Sequence, residues 1–259
     1  MTNIMRTMFG MVAMAVVLMF VGMSDAHANA GDATPPDIKW SFDGPFGTYD
    51  KAALQRGYKI YREVCASCHG MKRVAYRNLS GIGYSEDEIK AIAANYTVMD
   101  GPNDEGEMFE RAAKPSDHFK SPFANDAASK YANNGALPPD LSLIAKSRHG
   151  GADYVYGILT GYEAAPHGKV LAAGQNWNKY MPGQIIAMAA PLSDGQITYE
   201  DGTPQTIDQY ARDVSHFLTW VSEPEMEDRK RMGVKVLIFL AIFAGIMYAV
   251  KRKIWAKLH

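Results

Sequence analysis

Asp50-Lys-Ala-Ala-Leu-Gln-Arg-Gly-Tyr-Lys-Ile-Tyr-Arg-Glu-Val-Cys65-Ala-Ser-Cys68-His69 is the stretch on which the reading of this 259-residue chain turns. Leu54, Tyr58, Tyr61 and Val64 recur at helical spacing, so a helix beginning after Asp50 should carry the chain straight into Cys65. Cys65-Ala-Ser-Cys68-His69 is C-x-x-C-H, the attachment signature of c-type haem. One turn presents two thiols to the two vinyl groups of a porphyrin, and the next residue turns its imidazole under the iron. Two thioether bonds use both cysteines of the chain, which leaves none for a disulfide framework. A thioredoxin-like pair needs no His in the fifth place, and a zinc site needs a second Cys/His pair that is not found at suitable spacing. One covalently bound haem c is the cofactor expected, held by Cys65, Cys68 and His69.

The sixth ligand is left open by spacing. An iron that only carries electrons is closed by a second protein ligand, and a Met thioether raises its potential relative to a second His. The chain has fifteen methionines. Those of the two apolar ends are ordinary apolar residues, and Met71 is too near His69 to reach the opposite face. Met99, Met108, Met181 and Met188 remain, with His118, His149, His167 and His216 as imidazole candidates. Met181-Pro-Gly-Gln-Ile-Ile-Ala-Met188-Ala-Ala-Pro191 is an apolar, Pro-bounded loop placed far downstream, as a haem lid would be. Either Met181 or Met188 suits that lid, and core packing is the ordinary alternative for both.

Around this centre the chain reads as mainly α. Residues 31–47, with Pro35-Pro36, Gly44-Pro45 and Gly47, form an irregular arm. Ser85-Glu86-Asp87-Glu88 is a capping box that opens a second helix with Ile89, Ile92, Ala93 and Tyr96 on one face. Thr206 with Gln209 starts a third, with apolar positions from Ile207 to Val221, which stops before Pro224. Asp194-Gly195 and Asp201-Gly202 bracket Gln-Ile-Thr-Tyr-Glu, the expected arm of a small β hairpin. Long loops at 98–140 and 161–195 are expected to serve a function or wrap something. No internal repeat is present.

Both ends read as membrane-addressing segments. Met8 to Met23 is almost wholly apolar, follows Arg6, and leads to Asp25-Ala26-His27-Ala28-Asn29-Ala30, an A-x-A cleavage site offered after Ala28 or Ala30. Residues 1–30 are therefore expected to be a cleaved secretory signal of a bacterial exporter, the alternative being an uncleaved membrane helix. At the other end Met232 to Val250 is apolar apart from Lys235 and would rise roughly 28 Å, close to the hydrocarbon thickness of about 30 Å. Lys251-Arg252-Lys253-Ile254-Trp255 follows it, as suits a cytoplasmic border. The expected organisation is an exported haem domain over 31–228 and an anchor over 229–259, spanning at 232–250. Arg229, Lys230 and Arg231 also flank the exported side, against the usual charge asymmetry.

Charge is uneven. The whole chain has 28 acidic and 27 basic side chains, yet residues 31–228 hold 27 acidic and 18 basic ones, and residues 229–259 hold eight basic and no acidic ones. An acidic body repels nucleic-acid phosphates and favours a basic partner. Asp100, Asp104, Glu105, Glu107 and Glu110 make one acidic run, and Glu86-Asp87-Glu88 another; each is also explained as a solvated loop or a helix N-terminus.

Several separate motifs then occur in one order: Cys65-Ala-Ser-Cys-His69, Ala132-Asn-Asn-Gly-Ala-Leu-Pro-Pro-Asp-Leu-Ser142, Arg148-His-Gly-Gly151, Pro182-Gly-Gln-Ile-Ile-Ala-Met188, Asp201-Gly-Thr-Pro204 and Arg229-Lys-Arg-Met-Gly233. From about residue 35 to the end the chain resembles cytochrome c1, the haem subunit of the cytochrome bc1 complex. The resemblance implies Met188 as the axial methionine, Asn133, Ala136, Pro138, Pro139 and Tyr154 as residues lining the haem, and Arg148 as the partner of a propionate. Each has a plainer alternative: a turn Asn, loop prolines, a core Tyr, a solvated Arg. Some bacterial relatives carry an additional disulfide, for which this chain has no cysteines.

The fold implied is a mainly α cytochrome c type domain with long loops and a small β hairpin, on one C-terminal transmembrane helix. The function implied is electron relay from a Rieske iron–sulfur protein to a soluble basic cytochrome c, with no substrate chemistry of its own. The partners implied are cytochrome b and the Rieske protein in a dimeric complex of the bacterial inner membrane, with the haem domain in the periplasm and the C-terminus cytoplasmic. Two rival readings are an open-site haem enzyme or sensor, and a tethered carrier outside any such complex.

Overall fold

Asp50 caps the first helix, α1 (Lys51–Glu63): its carboxylate accepts from the Ala52 and Ala53 amides at 2.9 and 3.3 Å. The computed structural model describes residues 34–256; the expected signal segment, residues 1–30, lies outside the described residues. Leu54, Tyr58 and Tyr61 of α1 are buried, as their spacing requires. The helix then tightens into a 3₁₀ turn, Cys65–Ser67, which delivers the C-x-x-C-H motif.

The core is made where α1 crosses α6 (Ile207–Ser222). A side chain at Gly57 would come within 2.1 Å of the Asp213 carbonyl, so the two backbones approach closely only because that position is glycine. Tyr58, Tyr61, Phe217 and Trp220 pack there with Tyr76 and Phe119, their rings 4.6 to 6.1 Å apart in tilted, edge-on or, for Phe217 with Trp220, stacked pairs. Asp213 is buried at the crossing and is satisfied by Arg56, with Nε at 2.9 Å and Nη2 at 3.0 Å, and by the Tyr199 hydroxyl at 2.9 Å.

The expected helices form. Ser85 and Glu88 make a reciprocal capping box on α2 (Glu86–Ala94), and Thr206 accepts from the Gln209 amide to start α6, which ends at Ser222. Residues 34–47 are irregular. The β structure is displaced from where it is expected. No strand lies between Asp194 and Gly202: Ser193 and Asp194 instead bond locally to Gln196 and to the α6 N-terminus. The hairpin is β1 (Thr97–Asp100) with β2 (Phe109–Ala112), antiparallel with Thr97 opposite Ala112. A second, two-residue pair joins β3 (Asn176–Trp177) to β4 (Ile185–Ile186). The two long loops are thus partly structured, and 98–140 also contains α3 (Asp126–Ala132). The short α4 (Ile144–Ser147) leads to α5 (Gly151–Thr160), which packs on α6.

One 30-residue helix, α7 (Met226–Trp255), ends the described chain and is longer than the span of 232–250 read from composition. Its apolar side chains from Val234 to Val250 are exposed, as befits a helix long and apolar enough to cross a membrane. The basic residues at its start are accounted for locally. Lys230 Nζ donates to the Phe42 and Gly47 carbonyls at 2.6 and 3.1 Å, Arg229 pairs with Glu223 at 2.7 Å, and Arg231 lies 3.4 Å from Glu227. The Tyr49 amide donates to Glu227 at 2.8 Å, so the N-terminal arm clasps the first turns of the anchor.

Candidate functional site

The C-x-x-C-H turn is laced to a distant strap. The amide of His69 donates back to the Cys65 carbonyl at 2.8 Å, and the Tyr61 hydroxyl reaches the His69 carbonyl at 3.4 Å. From residues 138–142, Asp140 accepts from the Lys72 amide at 2.8 Å, Leu141 donates to the Gly70 carbonyl at 2.8 Å, and Ser142 accepts from the Arg73 amide at 3.1 Å. A cavity of about 50 Å³ lies between them, with Cys68 and Pro138 in its wall.

His69 Nδ1 lies 2.8 Å from the Pro139 carbonyl oxygen. A carbonyl only accepts, so Nδ1 holds the proton and Nε2 is left with its lone pair. Burial holds the imidazole below its ordinary pKa, against the opposing effects of Pro139 and Asp140, which favours the neutral ring that ligates a metal. Cys65 and Cys68 are both half-buried free thiols. Burial first, and the neighbouring Cys68 after it, push the Cys65 thiol up to about 12. That is the reverse of the activated pair in a thioredoxin-like site. No group of three or more His, Cys, Asp or Glu side chains fit to hold a metal ion occurs among the described residues. Two unpaired thiols one turn apart and an imidazole with Nε2 free are the donor set that covalent haem requires.

The other predicted residues lie in four places. Pro138, Pro139 and Asn133 are in or beside the strap: Asn133 ends α3 with its amide nitrogen donating to the Ser129 carbonyl at 2.7 Å, and Ala136 donates back to Asn133 at 3.0 Å. Tyr154 on α5 is half-buried, and its hydroxyl lies 3.9 Å from Met181 Sδ. Met188 is half-buried, and its carbonyl accepts from the Tyr162 hydroxyl at 3.0 Å and from Asn176 Nδ2 at 3.3 Å. Arg148 is exposed, and among the described residues its side chain reaches only the Ser147 carbonyl, at 3.5 Å. Sequence reasoning missed Tyr162 and Asn176, which hold the Met188 backbone. The long-range pairing of β3 with β4 brings Asn176 near Met188, and no local motif announces it.

A mainly helical head with a C-x-x-C-H turn at the end of its first helix, on one long exposed apolar helix, defines a membrane-anchored protein of the cytochrome c type. The comparisons with known proteins narrow the class. The model of the Cytochrome C1 family matches residues 40–258. Cytochrome c1 of Rhodospirillum rubrum is 47% identical over 271 residues, covering 98% of this chain and 98% of the relative. "Cytochrome b/c1" of Bradyrhizobium diazoefficiens is 50% identical over 274 residues; the match takes in 96% of this chain but only 40% of that relative's length. "Cytochrome c1, heme protein, mitochondrial" of Saccharomyces cerevisiae is 47% identical over 222 residues, 85% of this chain and 72% of the relative. The chain belongs to the cytochrome c1 family. It is thereby a haem electron-transfer subunit of the cytochrome bc1 complex.

Proposed function

We propose that this chain accepts an electron from the Rieske iron–sulfur protein and passes it to a soluble basic cytochrome c, using a single haem c. Cys65 and Cys68 would hold the haem by thioethers, and His69 Nε2 and Met188 would ligate its iron. Asn133, Ala136, Pro138, Pro139 and Tyr154 would line the ring, and Arg148 would meet a propionate. The group supplies a one-electron couple; the chain's part is to hold it, orient it and close both axial positions to substrate.

The observation that carries this reading is the Pro139 carbonyl on His69 Nδ1, which leaves Nε2 bare beside two unpaired thiols. The β1–β2 hairpin supports the acceptor: Asp104, Glu105 and Glu107 at its tip and Glu110 on β2 are all exposed, which suits steering of a basic carrier with rapid release. Residues 1–30 are a cleaved signal, 31–228 face the periplasm, and the anchor ends in the cytoplasm beneath a dimeric complex containing cytochrome b and the Rieske protein.

Detergent extraction tests the assignment. The chain should co-purify with a cytochrome b and a Rieske protein, retain its pigment after denaturation in acidified organic solvent, and bind no carbon monoxide when reduced. Isolation as a lone monomer would remove it from the complex, and carbon monoxide binding would reopen the sixth position.

A further inference from the structure

We propose that the cleft between the outer face of α1 and residues 199–201 binds a small organic anion, a carboxylate or phosphate carried on a flat ring. The cleft has a volume of about 310 Å³, at the lower end of the range for ligand sites, and shares no residue with the haem site. Arg56, Lys59 and Arg62 line it at three-residue spacing, which puts three cations on one helix face. The rings of Tyr58, Tyr84 and Tyr199 supply flat walls, and the Arg56 guanidinium lies 5.7 Å from the centre of the Tyr199 ring.

The polar groups of the cleft are unequally satisfied. Arg56 gives three of its five N–H donors to Asp213 and Asp201. Lys59 gives one N–H to the Thr198 carbonyl at 2.8 Å, and Arg62 gives one amino group to Glu63 at 3.2 Å; their other donors are open. Tyr58 is 1% exposed, yet among the described residues its hydroxyl has no hydrogen-bond partner. A phenylalanine would fill that space without the cost of an unpaired buried hydroxyl, and the Tyr58 oxygen, kept behind this wall, is a donor left over for an acceptor that enters the cleft. Of the two lining carboxylates, Asp201 is held by Arg56 and Glu200 is exposed, so the open groups are predominantly donors. Donors that converge beside aromatic walls fit an anionic group attached to a planar ring.

Calorimetric titration of the purified complex with benzoate, adenosine monophosphate, acetate and inorganic phosphate tests this. At least one of the two ring-bearing probes should saturate and bind more tightly than the ringless anion with the same acid group. Benzoate alone would mark a carboxylate site, and the nucleotide alone a phosphate site. Tyr58→Phe and Arg62→Gln should each weaken that probe by about tenfold, the scale of one charge-assisted hydrogen bond, with an unchanged haem spectrum showing that the head is folded. Tyr58→Phe should not lower the thermal midpoint, because the hydroxyl it removes has no partner. The proposal is overturned if neither ring-bearing probe saturates below about 10 mM, if ringless anions bind equally well, or if both variants keep wild-type affinity.

Discussion

The Nδ1 of His69 and the carbonyl oxygen of Pro139 are 2.8 Å apart although seventy positions separate the residues. The bond fixes the tautomer of the imidazole and sets its basicity, because a ring that donates strongly from Nδ1 donates more electron density from Nε2. Replacing Pro139 by Gly frees the strap backbone and should weaken that bond while leaving the thioethers intact. Ferric iron is the form a basic imidazole favours, so the potential should rise. A loss of about 1 kcal/mol corresponds to roughly 40 mV for one electron. Redox titration of the variant checks it; a lower potential would mean that the carbonyl does not govern the ligand.

The axial assignment separates two methionines that differ in surroundings. Met181 Sδ lies near the Tyr154 hydroxyl, whereas the backbone of Met188 is held by Tyr162 and Asn176. Met188→Leu should keep covalent haem, lower the potential by on the order of 0.1 V or more, and let carbon monoxide bind the reduced protein. Met181→Leu should do neither. The opposite pattern would move the ligand to Met181.

Much of this architecture is legible in the sequence because its signals are local. Asp50, Ser85 and Thr206 start helices where their side chains meet amides two or three residues on, and C-x-x-C-H carries its chemistry within one turn. The β hairpin was not legible where it occurs. Thr97-Val-Met-Asp100 and Phe109-Glu-Arg-Ala112 lack a clean alternation of apolar and polar residues, and Arg111 ties them together through Asp100 and Asp117. Gln196 to Glu200 has the composition of a strand, but Ile197 and Tyr199 are buried against Tyr210 and Asp213 of α6 rather than paired to another strand. The bond between His69 and Pro139 was beyond any local signal, since it depends on how residues 133–142 return to the motif.

Asp213 is the buried charge on which the α1–α6 crossing depends. With 1% of its side chain exposed, it accepts two bonds from Arg56 and one from Tyr199. Arg56→Leu would leave that carboxylate buried without its cation, and should cost about 3–5 kcal/mol in guanidinium unfolding followed by the visible band of the haem. A cost below about 1 kcal/mol would mean that water reaches Asp213 as readily as Arg56 does.

The hairpin that carries the acidic tip has its own pH dependence. Hydrogen bonds from Arg111 and from the Lys114 amide hold the Asp117 carboxyl down at about 2, below its ordinary value of about 3.9. A depressed carboxylate stabilises the fold above its unfolded pKa and loses that contribution as pH falls through the folded one. Amide protection across 97–112 should therefore decline from about pH 4 towards about pH 2. In Arg111→Gln the Asp117 titration should move up towards the ordinary value, and the hairpin should already be loose at neutral pH. Carboxyl-resolved NMR titration with hydrogen exchange reads both effects, and an unmoved Asp117 would show that Arg111 is not its partner in solution.

Docking of the electron acceptor gives the last test. Asp100 is spent on Arg111, but Asp104, Glu105 and Glu107 are exposed at the hairpin tip, and the Asn103 side-chain oxygen accepts from the backbone amides of Glu105 and Glu107 rather than engaging their carboxylates. Their carboxylates are thus free to act at a distance. Changing all three to Gln should slow association with a basic cytochrome c by roughly tenfold at low ionic strength, the lower end of electrostatic steering. The difference should shrink as salt approaches about 1 M, where the screening length falls to roughly 3 Å. The dissociation rate should change less, since exposed pairs contribute only about 0–1 kcal/mol each. Stopped-flow oxidation of the reduced complex across a salt series separates these terms. A variant that keeps the wild-type rate and salt slope would place the docking face elsewhere, with Glu86-Asp87-Glu88 at the start of α2 the next acidic cluster to neutralise.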